Sequence, residues 1–70
     1  MEGSVYKIVE VIGTSKKSWE DAAANAVKTA SKSLKDLRIA EITKLDMAIE
    51  KGEILNYRAR VSLSFKYSKG

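Results

Sequence analysis

Leu55-Asn56-Tyr57-Arg58-Ala59-Arg60-Val61-Ser62-Leu63-Ser64-Phe65-Lys66-Tyr67 is the stretch that decides the fold. Its odd positions are apolar or aromatic throughout, and its even positions are Asn, Arg, Ser or Lys. Successive side chains of a strand point to opposite faces, so this is a long strand with one apolar face. Immediately upstream, Glu50-Lys51-Gly52-Glu53 reads as a turn, with Gly52 supplying a positive φ. Before the turn, Leu37 to Glu50 alternates less cleanly. Leu37, Ile39, Leu45, Met47 and Ile49 share one parity, interrupted by Glu41 and Thr43. The two strands form a hairpin whose arms would reach roughly 40 Å at about 3.4 Å per residue. An arm that long, in a chain of 70 residues, needs another surface to lie against.

Further upstream the period changes from two to that of a helix. Trp19, Ala22, Ala23, Ala26, Val27, Ala30 and Leu34 form one apolar stripe over about four turns. Ser18 is suited to cap its start, and Asp21 stands where the acidic half of a capping box would lie. Because the stripe is mostly alanine, another backbone can approach it closely. Val5 to Ile12 is a first strand, rich in β-branched residues and apolar on both faces, that ends at Gly13; Gly13 to Ser18 reads as a polar loop. A strand apolar on both sides is covered on both sides, and in so small a domain the second cover is another subunit. The order is β-α-β-β, an α+β fold in which a three-stranded antiparallel sheet wraps one helix in a single domain, residues 1–70.

Composition narrows the function classes. Thirteen Lys and Arg against nine Asp and Glu, with no His, give a net charge of +4. Without Cys or His, the chain supplies no zinc-finger set, cysteine nucleophile, Ser-His-Asp triad or disulfide framework. The reading is therefore not an enzyme. No apolar run approaches the ~20 residues of a membrane-spanning helix. Met1-Glu2-Gly3-Ser4 shows no leader pattern, which makes a cytoplasmic protein the expectation. A domain this small, with neither disulfide nor metal staples, is expected to gain stability by self-association.

Ile8-Val9-Glu10-Val11-Ile12-Gly13-Thr14-Ser15, followed by Ser18-Trp19-Glu20-Asp21-Ala22-Ala23, resembles the strand-to-helix signature of dodecins. Ala40-Glu41-Ile42 and Val61-Ser62-Leu63-Ser64-Phe65 resemble the same family, so the likeness spans nearly the whole chain. It implies twelve β-α-β-β subunits assembled as a hollow dodecamer of cubic symmetry. It also implies flavins held in pairs at subunit contacts, stored rather than turned over. The family's flavin-stacking Trp corresponds to Ile39 here, and the Gln that hydrogen-bonds the ring edge corresponds to Arg58; Arg38 and Lys44 adjoin that pocket. Ile39 has no π face, and Arg58 offers donors without an acceptor. The resemblance therefore implies an altered flavin site. Ser18-Trp19-Glu20, Asp36-Leu37-Arg38-Ile39-Ala40 and Asp46-Met47-Ala48 are similar to a branch called calcium dodecins, which implies Ca²⁺ as the ligand.

Each candidate has a plainer alternative. Asp46 and Glu50, four apart on a strand and about 13 Å from one another, are either metal-binding carboxylates shared between copies or solvated, salt-bridged surface groups. Arg58, Arg60, Lys66, Arg38 and Lys44 form an anion site, a nucleic-acid face or intersubunit ion pairs with Glu10, Glu41 or Asp46. The aromatic parity of Tyr57 and Tyr67, opposite to the arginines, weakens the basic nucleic-acid-binding module. Thr14 and Ser15 form an anion nest or a structural turn. Trp19 stacks on a ligand or anchors a core. The expected molecule is a non-enzymatic homododecamer that binds a small ligand or metal ion, with flavin storage in a modified pose as the alternative.

Overall fold

The computed structural model describes residues 4–67. Met1–Gly3, where the leader pattern was sought, lie outside them. The elements run β1 (Tyr6–Ser15), α1 (Trp19–Ala30), β2 (Leu37–Glu50) and β3 (Glu53–Lys66). The three strands make one antiparallel sheet in the order β1-β3-β2. This is the expected β-α-β-β architecture, with the cleanly alternating strand in the centre. The described residues extend 55 × 20 × 15 Å, the elongation that two 14-residue strands impose.

The hairpin turn has positive φ at Lys51 (52°) as well as Gly52 (78°). Positive φ at both central residues is the twist-matched way to join two strands. Ala59, Val61 and Leu63 of β3 are buried against Ala22 and Ala26 of α1, and Val11, Val27, Ala30 and Leu37 pack around them. The alanines let the helix lie close to the strands, over β1 and β3 and barely reaching β2.

Two boundaries differ from the sequence reading. β1 does not stop at Gly13; it continues through Thr14 and Ser15, which pair with Arg58 and Tyr57. Gly13 ends nothing, and serves instead to let α1 press onto the strand: a Cβ there would collide with the Ala22 carbonyl oxygen and lie 2.9 Å from the Ala26 Cβ. α1 closes at Ala30 rather than Leu34. The Ser31 hydroxyl donates to the Lys28 carbonyl (3.0 Å), a local bond that competes with continuing the helix, and the Leu34 N–H returns to the Ala30 carbonyl. Ser18 caps α1 as expected, its hydroxyl accepting from the Asp21 N–H (3.0 Å). The Asp21 carboxylate, however, does not complete a capping box; it accepts a bond from the Ser15 hydroxyl (2.6 Å).

Register shifts explain the imperfect alternation of β2. Leu37 pairs with Phe65 and Ile39 with Ser64, leaving Arg38 as an extra residue. Likewise Ile42 pairs with Val61 and Lys44 with Arg60, leaving Thr43 extra. Each such bulge moves the following side chains to the other face. The helix-side parity is therefore Leu37, then Ala40 and Ile42, then Leu45 and Met47. Ile39 lies on the side away from the helix, opposite to its parity mates Leu37 and Leu45.

Candidate functional site

Residues directly paired across strands share a face, so the sheet side away from α1 can be mapped row by row. Ile8, Ser64 and Ile39 form one row; Glu10, Ser62 and Glu41 the next; Ile12, Arg60 and Lys44 the third; Thr14, Arg58 and Asp46 the fourth. Three of the four positions associated with a flavin pocket, Ile39, Lys44 and Arg58, therefore project from one outer face, together with Asp46. Arg38 sits in the bulge at the start of β2. Glu50 stands at the hairpin turn opposite Glu53, away from the rows that hold the other candidates.

Asp46 and Arg58 are bound to each other. Arg58 Nε donates to Asp46 Oδ1 at 2.8 Å and its NH2 group to Oδ2 at 3.2 Å, a two-pronged pair between exposed side chains. The hydrogen bond from Arg58, helped by the charges of Arg58, Arg60 and Lys44, holds the Asp46 carboxyl below its ordinary range against a smaller opposing effect of desolvation. The same hydrogen bond raises the Arg58 guanidinium above its ordinary value. Counting residues back from a two-residue turn would set Asp46 against Tyr57. The extra residue Leu55, between the Ala48–Asn56 and Ile49–Ile54 pairs, shifts the register so that Arg58 faces it instead.

Trp19 has a role that its helical spacing did not reveal. Its Nε1–H donates to the Asp46 backbone carbonyl at 3.0 Å, and its ring meets Tyr57 edge-on with centroids 5.1 Å apart. Position 46 is thus held from two sides, its backbone by the helix start and its side chain by β3. At the β1–α1 junction the Ser15 hydroxyl donates to Asp21 and accepts from the Lys17 N–H (2.9 Å), while Asn25 Nδ2 donates to the Thr14 carbonyl. The Ser15 hydroxyl and the Thr14 carbonyl are thus taken up by the chain's own groups, as the structural-turn reading expects.

One chain completes neither a calcium site nor a small-molecule pocket at Ile39. Ca²⁺ takes six to eight oxygens at about 2.4 Å. Both Asp46 carboxylate oxygens accept from Arg58, and the carbonyl accepts from Trp19. Among the described residues no three carboxylates gather as a metal-binding group. The depression bordered by Arg38 and Ile39 measures about 130 Å³, below the roughly 300–1,000 Å³ of small-molecule pockets. Large apolar side chains are bare on both faces: Ile8 (65% exposed) and Ile39 (61%) outside, Ile42 (50%) and Leu45 (53%) on the helix side beyond the end of α1's cover. Among the described residues no helix is long and apolar enough to cross a membrane.

Comparison with known proteins places this geometry. The family model described as Dodecin matches residues 5–68. A protein named Calcium dodecin from Mycobacterium tuberculosis is 46% identical over 63 residues, covering 90% of this chain and 89% of that protein. Among solved structures, the dodecin from Streptomyces coelicolor superposes with a TM-score of 0.90 at 31% identity, over the whole of both chains. The M. tuberculosis calcium dodecin, described as a calcium-chelating immunodominant antigen with a novel calcium-binding site, superposes with a TM-score of 0.82 at 46% identity and 96% coverage of each chain.

Proposed function

The chain belongs to the dodecin family, and from that membership we propose that it is a non-enzymatic homo-oligomer, twelve copies in a hollow shell, that binds calcium where its subunits meet. The observation that carries this reading is the apolar surface left bare on both sides of one sheet, Ile8 and Ile39 outside and Ile42 and Leu45 inside. A monomer that exposed both faces would forgo about 25 cal/mol for each square ångström it could bury. Contact with further copies removes both faces from water.

Calcium is favoured over flavin by the kinship with a protein named Calcium dodecin and by the chemistry of two positions. Ile39 offers no aromatic face for a ring to stack on. Arg58 presents donors only, and two of them are already engaged with Asp46. Asp46 is the carboxylate proposed to meet the ion, with Glu50 a second from the same strand. Further oxygens come from neighbouring copies, since one chain does not assemble six. When bound, the ion would tie subunits together through charge; it takes part in no reaction.

Mass, metal content and flavin binding test the proposal. Light scattering should give a mass several times that of one chain; a monomer would refute the assembly. Elemental analysis after exhaustive dialysis should find retained calcium, and added calcium should raise the melting temperature. An assembled protein that retains none and shows no shift would refute the metal. A yellow preparation that quenches riboflavin fluorescence would replace calcium by flavin. Trp19 supplies an internal reporter, because its indole is bonded to residue 46: its emission should change as calcium binds.

A further inference from the structure

The three oxygens that Asp46 could offer an ion are all engaged within the chain. Arg58 Nε donates to Oδ1 at 2.8 Å and its NH2 group to Oδ2 at 3.2 Å, while the Trp19 indole donates to the backbone carbonyl at 3.0 Å. A carboxylate has lone pairs beyond these two bonds, so hydrogen bonding alone leaves an ion room to approach from the open side. Charge does not. Arg60 and Lys44 stand in the adjoining row of the outer face, about 7 Å away along the strands. Their charges act on Asp46 together with that of Arg58. Three cations thus surround one carboxylate. Glu10 and Glu41, the other carboxylates of these rows, lie a row further off. A calcium ion seated on Asp46 with Arg58 still in place would add its charge to a neighbourhood that is already positive.

We propose that Arg58 is the cation that calcium replaces on Asp46. The guanidinium occupies the carboxylate while no ion is bound and turns away when one binds, so the site works by exchange rather than by simple addition. The inference rests on the reading of Asp46 as a calcium ligand and names what regulates it. Release of the arginine is easy. Within the chain both side chains are well exposed, Arg58 by 39% and Asp46 by 53%, and an exposed ion pair adds little to stability. Trp19 need not follow, because it holds the main chain of residue 46 and not the carboxylate. The carboxylate therefore stays in place while its partner changes.

Exchange also decides which ions enter. Sodium or potassium would replace one unit charge by another and forfeit two charge-assisted hydrogen bonds, so neither gains by displacing the arginine. A divalent ion brings twice the charge to the same carboxylate. The resident guanidinium thereby discriminates divalent from monovalent cations, which a bare carboxylate on a surface does poorly.

Removing the arginine tests the exchange. In assembled Arg58→Gln, calcium followed by Trp19 emission and by calorimetry should bind at least about fivefold more tightly than in wild type, from the loss of a competitor and of a like charge close to the ion. Arg58→Lys keeps the charge but not the fork and should fall between the two. Combining Asp46→Asn with Arg58→Gln should abolish the gain, since the gain is made at that carboxylate. Light scattering and far-UV circular dichroism show which variants are assembled and folded; if Arg58→Gln is not, Arg58→Lys carries the test by the same comparison. Calcium affinity equal to or weaker than wild type would overturn the exchange and make Arg58 a group that orients Asp46 for the ion. A gain that survives Asp46→Asn would overturn it as well. If neither wild type nor Arg58→Gln binds calcium, the calcium reading itself falls, and the exchange with it.

Discussion

Replacing Gly13 by alanine is the sharpest test of how this fold is held together. The added methyl would collide with the Ala22 carbonyl oxygen and lie 2.9 Å from the Ala26 Cβ and 3.0 Å from the Ala26 nitrogen, where ordinary contact begins at 3.4 Å. Two of these three obstacles are backbone atoms of α1, which cannot rotate aside as a side chain would. The helix must therefore move off β1 by well over the about 0.5 Å that the Ala26 Cβ alone would require, because the Ala22 carbonyl oxygen lies nearer still. It would take Ala22 and Ala26 away from Ala59, Val61 and Leu63, the whole of the buried core. Overpacking a dense core costs roughly 1–3 kcal/mol, and backbone obstacles argue for the upper end, about 3 kcal/mol. For a domain of this size that corresponds to a melting temperature lower by roughly 12–24 °C. Thermal unfolding followed at 222 nm measures it. Gly52→Ala is the control, since a Cβ there meets nothing within 4 Å and only the positive φ opposes it; its cost is about 1 kcal/mol. A Gly13→Ala protein that melts within 2 °C of wild type, or no lower than Gly52→Ala, would refute the close helix–strand approach (about 2 °C being well below the shift expected).

Other perturbations follow from single contacts. Ser18→Ala removes the oxygen that accepts from the Asp21 N–H and should lower stability by about 1 kcal/mol, read as a drop of several degrees in melting temperature; an unchanged value would mean the cap is replaced by water without loss. Trp19→Phe keeps an aromatic ring near Tyr57 but deletes the donor to the Asp46 carbonyl, a loss of about 1 kcal/mol, and should weaken any calcium-dependent thermal shift. The Asp46 carboxyl is held below its ordinary range by Arg58. Its contribution is therefore fully present above the unfolded carboxyl value and is lost as pH falls through the lowered one. Thermal stability of Asp46→Asn should accordingly fall less on acidification than that of wild type; parallel acid limbs would show that the pair contributes nothing.

Much of this molecule was legible in the order of its residues. Strict alternation from Leu55 to Phe65 marked the central strand, and the alanine stripe with its Ser18 cap marked the helix, because each is a short-range consequence of which side chains recur at two or at 3.6 residues. The apolar residues on both sides of Val5 to Ile12 announced a surface that one chain does not cover, and Ile8 and Ile12 are indeed bare. Where the sequence reading stopped short, partners distant in the chain decided. Gly13 looked like a strand end, yet it is glycine because a helix backbone nine residues on presses against it. The parity of β2 could not be read from β2, since the bulges at Arg38 and Thr43 and the extra Leu55 of β3 arise from pairing between strands. Those three single-residue shifts send Ile39 outward, set Lys44 beside Arg60 and deliver Asp46 to Arg58. Local periodicity chose the elements; cross-strand register, a property of two segments at once, chose which charges and which apolar side chains share a face.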